Sequence, residues 1–165
     1  MRMTRQHLGP GTSHLPSATE LLTAIGGRGA HGPVCCLAFA LSQSYRDAGP
    51  AAERLRSRRR ALIAEINTWS SLYLPAPTTG SRVYERTLGE LIDGIAARAA
   101  RAFHLLMHDD PAGVPMHTAW TRLAELSIAY GDLVRDIDSG RCCLPRVERR
   151  PFVGVGSSPT ERQVL

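Results

Sequence analysis

Two stretches of this chain place apolar residues at alternating steps of four and three. In the first they fall at Leu88, Ile92, Ile95, Ala99, Ala102 and Leu106, and in the second at Ala119, Leu123, Leu126, Tyr130, Leu133 and Ile137. That rhythm follows one face of an α-helix, with 3.6 residues to the turn. Each stripe lasts under three heptads, which suits packing inside a bundle better than a long coiled coil. Weaker stripes precede them. Val34, Leu37, Leu41 and Tyr45 mark one helix, and Leu55, Leu62, Ile66, Trp69 and Tyr73 mark another. No apolar–polar alternation of the strand kind appears. The expected fold is therefore all-α, an antiparallel four-helix bundle preceded by a short N-terminal helix.

The punctuation agrees. Ser17-Ala18-Thr19-Glu20 and Thr87-Leu88-Gly89-Glu90 have the form of capping boxes, in which an N-cap hydroxyl and a glutamate three residues on satisfy each other's backbone N–H groups. Gly26-Gly27 ends the short helix, Pro33 and Pro115 suit first turns, and Ser139-Gly140 closes the last helix. Leu74-Pro75-Ala76-Pro77 and Asp109-Asp110-Pro111 interrupt the remaining two. The expected organisation is a flexible arm over 1–16, one helical domain over 17–142 and a flexible tail over 143–165.

Composition excludes several classes. A chain of 165 residues, 43% hydrophobic and 21% charged, is of ordinary globular make-up. It lacks an unbroken apolar run of about 18 residues, so no membrane span is expected. No apolar segment of signal type follows Arg2 and Arg5, which points to the cytoplasm. The net charge of +5 rests on 20 basic residues, all of them Arg. Arg without Lys, together with abundant Ala, Gly and Pro, is the imprint of a high-GC bacterial gene. Arg54, Arg56, Arg58, Arg59 and Arg60 wrap around a helix and have no interleaved aromatics, so nucleic acid is not the expected partner. Cys35-Cys36 and Cys142-Cys143 are adjacent pairs without metal-ligand spacing, and they read as reduced thiols. No Glu-x-x-His motif, phosphate loop, nucleophile elbow or dinucleotide fingerprint occurs. No metal and no cofactor is expected.

The remaining candidates are polar residues beside or within the seams. Asp93 and His104 lie eleven residues apart on one helix, share a face and sit about 16 Å apart along the axis. Ala97 and Ala100 lie between them, on a helix thinned by alanine. Such a helix either lets neighbours approach closely or leaves a groove for a ligand. An acid and an imidazole beside an alanine-floored groove are the candidate catalytic pair, each a general acid or base, and too far apart to form a dyad. The structural alternative is that Asp93 pairs with an Arg and that His104 hydrogen-bonds between helices. Arg59 holds a seam position between Leu55 and Leu62, where a buried guanidinium needs an anion unless it snorkels to water. Arg59, Arg101 and Glu90 are the candidate substrate-binding residues.

The helix that carries Leu88-Gly89-Glu90-Leu91-Ile92-Asp93-Gly94-Ile95, then Ala99, Arg101, Phe103 and His104, resembles the signature helix of an uncharacterised bacterial family catalogued as domain of unknown function 4254. That family's signature has an Ile-Asp-Arg-Leu element followed, three turns on, by a basic residue and an aromatic-His-Met element. The likeness extends to Arg58-Arg59-Arg60 ahead of Ile66-Asn67, and to Leu123, Leu126, Asp132 and Leu133. It covers roughly residues 33–145. Gly94 stands in place of the family's usual Arg, and Leu105 where Met is common. The resemblance implies a helical fold and singles out Asp93, Arg101 and His104.

The expected function is a cofactor-free acid–base step on a small molecule, of cyclase, isomerase or lyase type, in specialised metabolism. A homodimer is compatible with it. The rival expectation is a non-catalytic ligand-binding or interaction protein that meets a partner through an exposed apolar face of the helix from Val34 to Tyr45.

Overall fold

A computed structural model describes residues 15–29, 31–46 and 52–146. The protein is mostly helical. In chain order the elements are α1 (Ala18–Ile25), α2 (Gly32–Arg46), α3 (Ala52–Tyr73), β1 (Arg82–Val83), α4 (Leu88–His108), α5 (Val114–Asp138) and β2 (Cys142–Cys143). Helix α4 is central and packs against α2, α3 and α5, while α1 packs on α2 and α5.

Both capping boxes form. Ser17 and Glu20 close the N-terminus of α1, and Thr87 and Glu90 that of α4. Leu88, Leu91, Ile92 and Ile95 are almost wholly withdrawn from solvent, as are Leu21, Ile25, Leu41, Ile66 and Tyr130. Burying each such aliphatic side chain contributes about 1.5–3 kcal/mol, the term that holds the helices together. The α5 stripe packs as its spacing implies, with Leu123, Tyr130, Leu133 and Ile137 buried. On α4 the stripe slips at its last step, because Leu105 is buried and Leu106 is 44% exposed. Five steps of four and three approximate 3.6 only on average, so the final residue is where register error collects.

Helix α2 does not present the apolar face to solvent that a partner-binding surface would need. Val34, Ala38 and Leu41 are buried and Leu37 and Tyr45 half-buried, because α1, α3 and α4 all pack on this helix. The thin face of α4 is likewise filled. Ala96, Ala100 and Ala102 are buried, so the alanines bring neighbouring helices close and do not floor an open groove across that face.

Gly89 shows how close. A Cβ there would lie 2.6 Å from the Ile63 carbonyl oxygen and 2.8 Å from Asn67 Oδ1. Only a glycine permits this approach of α3 to α4. The buried Gly89 N–H, which has no partner within its own helix, donates to Asn67 Oδ1 at 2.8 Å.

The described residues just before α1 and just after α5 reach further into the fold than their composition implies. Leu15 is buried, and the Tyr130 hydroxyl donates to the Pro16 carbonyl at 2.8 Å. Beyond α5, β2 pairs in parallel with β1, with Arg82 opposite Cys142 and Val83 opposite Cys143. Cys142, Cys143 and Leu144 are all buried. The packed structure therefore extends on both sides of 17–142, and the ordered tail residues include 143–146. Burial of apolar side chains and one ladder outweigh the loop-like local composition. The rest of the expected arm and tail lies outside the described residues.

Candidate functional site

Tyr45 lies on the same apolar stripe of α2 as Leu41, which carries its hydroxyl inward to α4. There it meets Asp93, one turn beyond the capped start of α4. The hydroxyl stands 2.9 and 3.0 Å from the two carboxylate oxygens and shares one donated proton between them. Arg59, on α3, lays its guanidinium over the Tyr45 ring at 4.6 Å and donates from Nη1 to the Ser44 carbonyl at 3.0 Å. That carbonyl belongs to the last turn of α2 as described. The cation therefore meets the negative end of the helix dipole as well as an aromatic face. Three helices thus contribute one residue each to a half-buried cluster.

Its electrostatics follow from partial burial. Desolvation raises the Asp93 pKa above the usual carboxylate range, against the opposing effects of the Tyr45 hydrogen bond and the Arg59 charge. Desolvation, then the hydrogen bond to Asp93 and its charge, push the Tyr45 phenol up to about 12. Arg59 acts on Asp93 from beyond ion-pair distance, since no ion pair joins them among the described residues. The cluster has a carboxyl group inclined to hold a proton, a neutral phenol donor and a fixed positive charge. Those are the parts of a proton-transfer site.

Of the residues singled out in the sequence, Asp93 and Arg59 come together. Three do not join them. Glu90 is consumed by the capping box, accepting the Thr87 N–H at 2.9 Å. Arg101 is exposed on another side of α4. His104 is exposed, its ring stacks on His108 at 4.6 Å, and its carbonyl is 3.0 Å from His108 Nδ1. The alternative readings are also answered. Asp93 takes a tyrosine and not an arginine as its direct partner, and Arg59 is held at the cluster without snorkelling free.

Reading by sequence missed Tyr45 as a polar group, because its place in an apolar stripe disguised the hydroxyl. It also missed Arg46. That guanidinium donates from Nη2 to the Ile25 carbonyl at 3.3 Å and stacks over the Phe103 ring at 4.7 Å. The signal available for both was a polar-tipped residue at the end of a stripe, with a complementary group on a neighbouring helix.

Cys35, Cys142 and Cys143 are buried free thiols, and Cys36 is exposed. Among the described residues no cluster of three or more His, Cys, Asp or Glu is grouped to hold a metal ion. None of their helices is long and apolar enough to cross a membrane. Comparison with family models, curated proteins and solved structures gives no match for this chain.

Proposed function

We propose that this chain performs cofactor-free acid–base chemistry on a small molecule, with Asp93 as the proton-transfer group. The observation that carries the reading is the half-buried Asp93 carboxyl bridged by the Tyr45 hydroxyl, with Arg59 fixed over the phenol ring. Asp93 takes or gives the proton, Tyr45 donates to the oxygen that gains charge, and Arg59 supplies the field that favours an anionic substrate. A cyclase, isomerase or lyase step of specialised metabolism in the cytoplasm fits these parts. Helices α2 to α5 are read as an antiparallel four-helix bundle, and membership of the domain of unknown function 4254 family belongs to the same proposal. His104 stands outside the mechanism.

A panel of small carboxylic and phosphorylated metabolites, screened by protein-observed NMR and for turnover, tests the reading. Ligands are expected to shift the signals of Tyr45, Arg59 and Asp93. Asp93→Asn is expected to abolish any turnover, while His104→Ala keeps it. A folded Asp93→Asn protein with unchanged turnover removes the proposal.

A second reading, a non-catalytic role, has one observation in its favour: the polar groups of the cluster already satisfy one another. In that case Tyr45→Phe lowers stability and changes no ligand response.

A further inference from the structure

Arg101 leads to a different place. Arg98, Arg101 and Leu105 recur on α4 at steps of three and four, and so share one face. They line a groove of about 410 Å³ together with Pro115, Ala119 and Arg122 of α5. The groove includes neither Asp93, Tyr45 nor Arg59. Its floor is apolar, with Leu105 buried and Ala119 half-buried, and its walls carry three guanidinium groups.

Among the described residues those three charges are uncompensated. None of Arg98, Arg101 and Arg122 enters an ion pair among the described residues. Arg98 donates from Nη1 to the Gly94 carbonyl at 3.1 Å, which leaves its charge unneutralised. Among the described residues no acidic side chain lines the groove. The nearby Asp110 is turned to its own loop, where its carboxylate accepts the Ala112 N–H at 2.9 Å.

The same cavity reaches the N-terminus of α5, where Gly113 is the N-cap and supplies no side chain to it. The positive end of the dipole of a 25-residue helix thus adds to the field. Thr118 adds a hydroxyl donor. Like charges gathered without a counter-ion repel one another, and a bound anion relieves that repulsion.

We propose that the α4–α5 groove binds a small amphipathic organic anion, a carboxylate, sulfonate or phosphate attached to an apolar ring or chain. The guanidinium groups of Arg98, Arg101 and Arg122 take the anionic head in forked hydrogen bonds. Leu105, Pro115 and Ala119 take the apolar body. The volume lies within the range of small-molecule pockets. Either half of such a ligand alone would leave part of the groove unused.

The test uses the full chain and a fluorescent probe, anilinonaphthalene sulfonate, with circular dichroism confirming that each variant is folded. The dye is expected to bind saturably and to lose about tenfold in affinity for each of Arg101→Gln and Arg122→Gln. Arg54→Gln, exposed on α3, is the charge-matched control and keeps the wild-type affinity. Neutral anilinonaphthalene is expected to bind at least about tenfold more weakly than the sulfonate. Inorganic phosphate is expected to displace the dye only at far higher concentration, since it has no apolar body.

Absence of saturable binding overturns the proposal. So does equal affinity for the neutral analogue, or an Arg101→Gln/Arg122→Gln protein that binds like the wild type. Co-sedimentation with phosphatidylglycerol vesicles that disappears in the double variant assigns the groove to a membrane surface and overturns it as well.

Discussion

The two halves of α4 carry the same apolar rhythm and meet opposite fates. Toward its N-terminus, Gly89 and Asp93 are enclosed by α2 and α3, and the Gly89 N–H and the Asp93 carboxylate each have a partner on another helix. Toward its C-terminus, Phe103, Leu106 and Met107 are between 44% and 60% exposed, and His104 stacks on its own neighbour one turn along. One helix face predicts two chemical environments, because burial is set by what the rest of the chain brings to each turn. A polar residue becomes a candidate for chemistry where three elements converge, and stays a solvated side chain where they diverge.

The sharpest way to break this contrast is at the closest contact. Gly89→Ala should destabilise the protein by about 3 kcal/mol, since its Cβ would collide with the backbone of α3 and disturb a buried hydrogen bond. Gly94→Ala, one and a half turns on, meets only side-chain atoms at 3.4 Å and should be neutral or slightly stabilising by helix propensity. Thermal or urea unfolding of the pair measures the difference. Equal effects would mean that the helix is not more tightly enclosed at its start.

Next comes Asn67→Ala. It leaves the Gly89 N–H without its side-chain acceptor, and a loss of about 2 kcal/mol is expected in urea unfolding.

Tyr45→Phe should cost about 1 kcal/mol at neutral pH by removing the hydrogen bond to the Asp93 carboxylate. It also bears on pH. Because the Asp93 pKa is raised in the folded state, the native protein holds that proton more tightly than the unfolded chain. The stabilisation is full below the usual carboxylate range and is lost as pH rises through the raised value. Tyr45→Phe removes a bond to the charged form, so carbon-detected NMR of Asp93 should show its pKa rising further. For Tyr45 itself, ultraviolet titration should show a phenol that keeps its proton up to about 12, and that is absent in the variant.

The smallest effect is expected at the open end. His104→Ala and His108→Ala should each change stability by under about 0.5 kcal/mol, as exposed substitutions do. A larger loss would place His104 in a contact that its exposure conceals.

What the sequence made legible was local or periodic. Both capping boxes, the glycine and proline stops, and the apolar seam of α5 follow from spacing and from backbone hydrogen bonds that a few residues settle among themselves. Two of the cluster's three residues were equally legible, since Arg59 interrupts the seam of its helix and Asp93 is an acid on an alanine-lined face. Tyr45 was not, because a phenol in an apolar stripe looks like core until a carboxyl group is placed opposite it. Leu105 and Leu106 exchanged roles at the end of a stripe where small angular errors add. The pairing of β1 with β2 joins segments about sixty residues apart, and two residues on each side carry no periodicity from which to infer it.

That short ladder gives the fold a reporter. The Tyr84 N–H donates to the Cys143 carbonyl at 2.8 Å and the Arg82 N–H to the Arg141 carbonyl at 3.1 Å. Two amides in the segment between α3 and α4 are therefore shielded from water only while the chain beyond α5 is docked. Their exchange with deuterium times the undocking of a distant stretch of chain, independently of the unfolding of the helices between.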